Sequence, residues 1–110
     1  MKVERLHSWQ VSIPQALDIQ QRLAAQVSRC NEITTPRFIA GLDISRPRAQ
    51  GVATGAVVVL RYPELKLVET KVVQGKLDFP YVPGLLSFRE SPLTLAACEK
   101  LSIIPDLFLV

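Results

Sequence analysis

Three strand-like segments in succession constrain most strongly what this chain can fold into. Residues 37–44 are almost wholly apolar and follow a proline, and residues 51–60 are apolar and rich in valine. Both compositions are typical of strands buried in a core. Residues 66–74 alternate between apolar and polar side chains after a turn at RYPEL, as a third strand would. Because the links between the segments are short, we predict an antiparallel meander.

An amphipathic helix is predicted ahead of the meander. In residues 12–31, Leu23 and Val27 recur at helical spacing with other apolar residues, while the remaining face is polar. Ser12 suits the N-cap, and Pro14 falls within the first turn, where proline is tolerated. We expect this helix to lie with its apolar face on another part of the chain.

A second helix and a fourth strand are predicted after the meander. Residues 91–101 begin with Ser91, which suits the N-cap, and with Pro92 at the first helical position, where its missing N–H costs nothing. Pro105 ends the connection, and DLFLV at 106–110 is predicted to be a strand. Because a strand that follows a helix normally runs parallel to an earlier strand through a right-handed crossover, the predicted fold class is α/β.

Length and charge limit the organisation and partners of the chain. Its 110 residues suffice for one small domain and not for two. Thirteen Lys and Arg against ten Asp and Glu give a net charge of +3, which permits a nucleic-acid partner without requiring one. No apolar stretch reaches the ~20 residues of a membrane span, and the N-terminus lacks the apolar core of a secretory signal. We therefore expect a cytoplasmic protein with no membrane partner.

The cysteines and the histidine argue against a zinc site. Cys30 and Cys98 lie far apart without CxxC spacing, and His7 is the single histidine. A zinc site needs roughly four nitrogen or sulfur ligands, more than these residues supply. Both cysteines are interpreted as ordinary small apolar residues in a reducing compartment.

Two carboxylates, Asp43 and Glu90, are the candidates for chemistry. Asp43 lies inside FIAGLDIS, where its neighbours predict burial, and a buried carboxylate must be paired, hydrogen-bonded, neutralised or metal-bound. Glu90 ends a proline-stiffened loop beside the predicted start of the second helix, whose dipole favours negative charge. Each residue also has a simpler explanation, as a turn cap or as a helix-terminal glutamate. Arg89 is either an ion-pair partner of Glu90 or a phosphate ligand. Together the two carboxylates are the minimum for holding Mg²⁺ at a site of phosphodiester hydrolysis.

Several long stretches now coincide with one known family. IAGLDIS, AVVVLRYPELKLVE and FPYVPGLLSFRESP, followed by a helix and PDLFLV, resemble the N-terminal half of the endonuclease V family, the deoxyinosine 3′ endonucleases. The resemblance covers nearly the whole chain. It implies a ribonuclease H-like mixed sheet, in which three antiparallel strands precede a helix and a strand parallel to the first. It also implies Mg²⁺-dependent cleavage of DNA one bond beyond a deoxyinosine, with inosine-containing RNA as an alternative substrate.

The resemblance also implies roles for individual residues. Asp43 and Glu90 would be metal ligands. The family's strand-separating wedge matches Pro80, Tyr81, Val82 and Pro83, and the pocket for the extruded base matches Gly84 and Leu86. Prolines stiffen such a loop, and a stiff loop with an aromatic tip can enter a duplex, where unstacking costs a few kcal/mol per step. The alternative is a surface connection that packs its aromatic residues on the core.

The sequence departs from the family pattern at two places. Arg46 stands where the family usually has a tyrosine, soon after Asp43. The chain ends at Val110, before the family's next metal-binding aspartate. We therefore expect residues 1–110 to form a single, incomplete domain, truncated after the fourth strand.

Three functional hypotheses follow. The first is a DNA repair nuclease of endonuclease V type, represented by its N-terminal portion and inactive if the absent aspartate is essential. The second is a non-catalytic remnant that at most binds nucleic acid. The third is a protein-interaction module that pairs through the open strand edge at 106–110, with self-association as one form of it.

Overall fold

The computed structural model describes all residues from Met1 to Val110 and contains one mixed sheet. The strands are β1 (Phe38–Ile44), β2 (Val52–Arg61), β3 (Lys66–Lys76) and β4 (Leu107–Leu109). Their order in the sheet is β3-β2-β1-β4. β2 is antiparallel to both β1 and β3, whereas β4 runs parallel to β1. The predicted sheet, with three antiparallel strands and then a helix and a parallel strand, is confirmed.

The first helix, α1 (Ile13–Ala24), begins as predicted and ends early. The Ser12 side chain accepts a hydrogen bond from the backbone of Gln15, whose side chain caps the backbone of Ser12 in return. The prediction of a helix to residue 31 is wrong. Val27, the apolar residue expected to continue the pattern, is 66% exposed. Because a helical turn without tertiary packing is marginal in water, the helix ends where its buried contacts end.

The second helix, α2 (Leu86–Glu99), begins well before the predicted position. Ser91 and Pro92 lie inside it, so their predicted roles as N-cap and first helical residue are wrong. Pro92 has no N–H to donate to the carbonyl of Phe88, which is a cost within a helix. Burial of Phe88 and Leu93 on either side of this gap offsets that cost. Glu90 consequently lies within the helix rather than on the loop before it.

The main core lies between α2 and one face of the sheet. Ala40, Val57 and Val59 from the strands meet Ala97 and Cys98 from α2. Cys98 packs as a small apolar residue, as predicted, and its burial raises the pKa of the thiol. Cys30 is exposed and forms no disulfide bond.

Close contact between α2 and β2 depends on one glycine. A Cβ atom at Gly55 would lie 2.9 Å from Cγ of Leu93 and 3.0 Å from its carbonyl oxygen. The first distance is shorter than real Cβ contacts and the second is tighter than nearly all of them, and backbone cannot move aside as a flexible side chain can. The absence of a side chain at Gly55 is therefore what lets the helix settle onto the strand.

The second face of the sheet has no helix packed on it. α2 contacts β1, β2 and β3 from one side. Alternation along the strands turns Val58 and Val72 to the other side, where they are 38% and 56% exposed. Residues 37–44 were expected to form a buried strand, yet only Ala40 among them is fully buried. The apolar composition of β1 thus exceeds what a sheet covered on one face requires.

Two carboxylates fasten the approach to β4. Both oxygens of Glu69 accept backbone N–H groups, from Ser102 and Ile103, at 2.9 to 3.2 Å. Asp106 accepts from the backbone N–H groups of Arg37 and Phe38 at 2.8 and 3.0 Å. These hydrogen bonds favour the ionised forms and hold the pKa of each carboxyl below its ordinary value.

No helix of the structure is both long and apolar enough to cross a membrane.

Candidate functional site

The segment of residues 77–85, here called the proline loop, joins β3 to α2 and is anchored by its ends. Phe79 and Leu85 are buried, and they pack with Ala16 and Ile19 of α1 and with Phe88 of α2. α1 thus makes its buried contacts with this loop and the start of α2 rather than with the sheet. The amphipathic helix that the sequence predicted serves to hold the loop.

Three hydrogen bonds fix the path of the proline loop. Arg89 donates from Nη1 to the carbonyl oxygen of Phe79 at 2.7 Å. Gln20 donates from Nε2 to the carbonyl oxygen of Gly84 at 2.9 Å. Within the loop, the N–H of Leu85 donates to the carbonyl of Val82 at 2.9 Å. Gly84 has a φ of +86°, a left-handed conformation that glycine adopts without strain.

The predicted wedge residues are mostly presented to solvent. Tyr81 is 72% exposed, and Pro80 and Pro83 are exposed beside it. Val82 is half-buried and packs against the cluster beneath the loop. The loop therefore displays an aromatic tip on a fixed base. Packing of Tyr81 on the core, the alternative explanation, is wrong.

The two residues predicted to line a base pocket flank a buried anchor. Gly84 is exposed and Leu86, the first residue of α2, is 42% exposed, with Leu85 buried between them. A cavity of about 220 Å³ does lie beside the proline loop, lined among others by Phe79 and Arg89. Gly84 and Leu86 do not line that cavity, so their role in base binding stays a prediction.

Sequence reasoning missed an aromatic cluster under the loop. The rings of His7 and Trp9 lie 4.4 Å apart, and that of Trp9 lies 5.5 Å from Phe88, edge to face. Phe79 extends the cluster, 5.6 Å from Phe88. These centroid distances are in the range of favourable aromatic pairs. The signal that was available is the His-Ser-Trp spacing, which separates the two rings by one residue.

Asp43 is exposed near the end of β1, and the expectation that it is buried is wrong. Its neighbours Leu42 and Ile44 turn toward α2 and pack in the core. Alternation therefore turns Asp43 to the uncovered face. Its Oδ1 accepts a hydrogen bond from the N–H of Ile44 at 2.8 Å, which leaves Oδ2 without a protein donor.

Glu90 is half-buried on α2, one turn before Leu93. Leu93 contacts the site of Gly55, and Gly55 pairs with Ile44, the residue after Asp43. This chain of contacts places Asp43 and Glu90 at the same end of the sheet, Asp43 on the uncovered face and Glu90 on the helix that covers the other face. Their carboxylate oxygens suit Mg²⁺ chemically, but no group of three or more His, Cys, Asp or Glu is assembled here or elsewhere in the structure. The role of Asp43 and Glu90 as metal ligands therefore stays a prediction.

Arg89 does not form the ion pair that was one expectation for it. Neither of the two salt bridges in the structure contains Arg89 or Glu90. Arg89 instead holds the backbone of the proline loop through Phe79. Glu90 is the next residue along the same helix. The residue that anchors the proline loop, Arg89, and the candidate metal ligand, Glu90, are therefore neighbours on α2.

The chain is similar to known proteins over almost all of its length. The family model described as Endonuclease V matches residues 21–110. Endonuclease V of Dehalococcoides mccartyi strain BAV1 is 43% identical over 110 residues, which is 100% of this chain and 49% of that protein. Endonuclease V of Gloeobacter violaceus is 44% identical over 107 residues, or 96% of this chain and 44% of that protein. The chain spans about half the length of these curated relatives.

Solved structures agree with the fold. The crystal structure of the Bacillus subtilis endonuclease V has a TM-score of 0.88 and 28% identity, and the match covers 98% of this chain and 48% of that one. An endonuclease V of Ciona intestinalis, in complex with a 23mer DNA containing an inosine, has a TM-score of 0.73 and 28% identity. That match covers 87% of this chain and 44% of the Ciona chain.

Proposed function

Because the chain belongs to the endonuclease V family, we propose that it acts in cleavage of nucleic acid at deoxyinosine, on the 3′ side of the lesion. The observation that carries this proposal is the proline loop, which presents Tyr81 to solvent above a base of buried anchors and hydrogen bonds. The inosine-containing DNA bound by the Ciona relative supports the substrate class. DNA with deoxyinosine is the proposed partner, and RNA with inosine is the alternative.

The loop is suited to enter a duplex. Separating a base step costs a few kcal/mol, and a wedge must offer contacts that replace the lost stacking. Tyr81 offers an aromatic face. Phe79 and Leu85 are buried in the core and keep the loop from shifting when its tip contacts the bases. Gly84 has no side chain and nothing lies within 4 Å of the position that a Cβ would take, so a displaced base can approach the backbone beside the tip closely. Pro80, Val82 and Pro83 complete the wedge, and Leu86 lies beside Gly84 as an apolar surface for the displaced base.

Asp43 and Glu90 are the residues of this chain that would hold Mg²⁺. When bound, the ion neutralises phosphate charge and lowers the pKa of a coordinated water. The part played by the chain itself is positional. Arg89, the residue before Glu90 on α2, fixes the backbone of the proline loop, so the spacing between the loop and Glu90 is set within one segment of the chain.

A second candidate function is binding without cleavage. The structure assembles no group of three or more His, Cys, Asp or Glu side chains that could hold a metal ion, and Mg²⁺ held by two carboxylates takes its other ligands from waters and substrate phosphates. In that case the chain would recognise inosine-containing nucleic acid through the proline loop and leave the phosphodiester bond intact.

A nicking assay separates these candidates. The purified chain is incubated with a labelled duplex carrying one deoxyinosine, with Mg²⁺ or with EDTA, and with a duplex carrying deoxyguanosine instead. Nicking 3′ to the inosine that needs Mg²⁺ and disappears in Asp43→Ala supports the nuclease. Binding that prefers inosine without nicking supports the second candidate. A folded chain with no preference for inosine in either assay contradicts both.

A further inference from the structure

Three exposed cations belong to the end of the sheet from which the proline loop departs. Arg46 and Arg48 are in the β1–β2 connection, and Lys76 is the last residue of β3. We propose that these three residues, here called the basic edge, bind the phosphate backbone of a nucleic acid whose base is engaged by the proline loop. The inference rests on the proposed function and adds to it a surface that neither the wedge nor the carboxylates include.

The connection that carries Arg46 and Arg48 is held by its own backbone. The N–H of Ser45 donates to the carbonyl of Thr54 at 2.8 Å, and the N–H of Arg48 donates to the carbonyl of Val52 at 2.7 Å. Pro47, between the two arginines, has a fixed φ. The two guanidinium groups are therefore presented from a connection with few alternative backbone conformations, which lowers the entropy cost of binding.

Strand pairing places Lys76 beside this connection. Val52, the first residue of β2, accepts the hydrogen bond from Arg48 on one side and is the strand partner of Lys76 on the other side. The backbones of Arg48 and Lys76 are thus separated by two strand spacings, roughly 10 Å. The N–H of Leu77, the first residue of the proline loop, donates to the carbonyl of Gly51 at 2.9 Å. Backbone hydrogen bonds therefore join the strands that carry the basic edge to the first residue of the proline loop.

The charges of the basic edge are free for an external anion. Salt bridges occur between Asp18 and Arg22 and between Glu69 and Lys71, and none involves the basic edge. Guanidinium groups match phosphate oxygens in geometry and are weakly hydrated, so they suit this partner. Half to two-thirds of protein–DNA hydrogen bonds go to the backbone and set the register of the protein on the duplex. Such contacts would keep the loop over its base.

The test is the salt dependence of binding. The 110-residue chain is titrated into a fluorescently labelled duplex with one deoxyinosine, in EDTA, and the affinity is measured by anisotropy over a series of KCl concentrations. The variant R46Q/R48Q removes two positive charges from the basic edge. The matched control R61Q/K66Q removes two from residues that pair with each other at the opposite end of β2 and β3. Circular dichroism and thermal unfolding verify that both variants are folded.

The basic edge predicts unequal results for the two variants. Loss of two phosphate contacts should reduce the slope of log K against log salt by about 1.8, and weaken binding at low salt by about tenfold or more. The control should change the slope by less than half as much, and K76Q should act in the same direction as R46Q/R48Q. Equal changes in the two double variants, with binding retained, overturn the basic edge and leave the proposed function standing. Absence of any binding by the unchanged chain overturns both.

Discussion

The side-chain amide of Gln20 on α1 is bonded to the backbone carbonyl of Gly84 at the far end of the proline loop, across 2.9 Å. The two residues are 64 positions apart in the chain. Arg89 makes the corresponding bond to Phe79 near the start of the loop. The exposed Tyr81 lies between these two attachment points. The reading tip is therefore held by one helix on each side, and its position depends on α1 as much as on the loop's own prolines.

Gln20→Ala should loosen the proline loop without unfolding the chain. A net hydrogen bond of this kind contributes about 1 kcal/mol, so local opening of the loop should become roughly fivefold more frequent. Hydrogen exchange at the amide of Leu85, which bonds to Val82, reports that opening. Gln21→Ala is the matched control, because Gln21 is exposed on the same helix. Equal exchange rates in the two variants would show that the Gln20 bond does not hold the loop.

Gly55→Ala should destabilise the fold at the contact between α2 and β2. Its new methyl group would lie within 3.1 Å of three atoms of Leu93, two of them backbone. Overpacking of this kind costs about 1–3 kcal/mol in the free energy of unfolding. Urea denaturation measures the change.

The control for that substitution is Gly41→Ala. A Cβ at Gly41 would meet only Cγ2 of Val58, at the ordinary contact distance of 3.6 Å. Alanine is also the better residue within a strand by about 0.5–1 kcal/mol, so this variant should match or exceed the stability of the unchanged chain. A Gly55→Ala chain as stable as Gly41→Ala would contradict the close packing of α2 on β2.

Local chemistry along the sequence predicted some features, and tertiary contacts decided the others. The start of α1 could be predicted from the sequence, because the capping box at Ser12 is formed within four consecutive residues. The end of α1 and the start of α2 were misplaced, because both depend on where buried contacts lie. Pro92 is the clearest example, since an interior helical proline is intrinsically unfavourable and only the packing of α2 compensates for it.

The candidate site divides in the same way. Asp43 and the proline loop were identified from the sequence, because an acidic residue in an apolar run and closely spaced prolines are local signals. The exposure of Asp43 was not, since it depends on which face of the sheet α2 covers. The bond from Gln20 to Gly84 joins distant segments and leaves no local pattern. Arg46 was noticed only as a departure from the family, and its place beside Arg48 and Lys76 emerges from strand pairing.

Stability should fall in acid through Glu69 and Asp106. Both pKa values are lowered by folding, through the backbone N–H groups that each carboxylate accepts. A group with a depressed folded pKa stabilises the fold above its unfolded pKa, and that contribution is lost as the pH falls through the folded value. The loss should begin below the ordinary values of 4.5 for Glu69 and 3.8 for Asp106.

Thermal unfolding between pH 2 and pH 7 tests this in Glu69→Gln and Asp106→Asn. Each variant should be less stable than the unchanged chain at pH 7, and the difference should shrink toward pH 2. Glu64→Gln, in the turn between β2 and β3, is the control and should follow the unchanged chain. A constant difference across the pH range would mean that the carboxylate charge is not what fastens β4.

Tyr81→Ala should impair recognition of the lesion and leave stability unchanged. The side chain is 72% exposed, so its removal costs the fold almost nothing. An aromatic residue stacked on a base contributes about 1–3 kcal/mol by alanine substitution, so affinity for the inosine duplex should fall roughly five- to 150-fold. Tyr62→Ala is the control, because Tyr62 is the other tyrosine and is also exposed, in the turn at the opposite end of the sheet.

Tyr81→Phe should retain most of the affinity, because stacking needs the ring and not the hydroxyl. A 2-aminopurine placed beside the inosine brightens when it is unstacked, and this signal should appear with the unchanged chain and with Tyr81→Phe but not with Tyr81→Ala. If Tyr81→Ala unstacks the reporter as fully as Tyr62→Ala does, the Tyr81 ring is not the part of the proline loop that separates the bases.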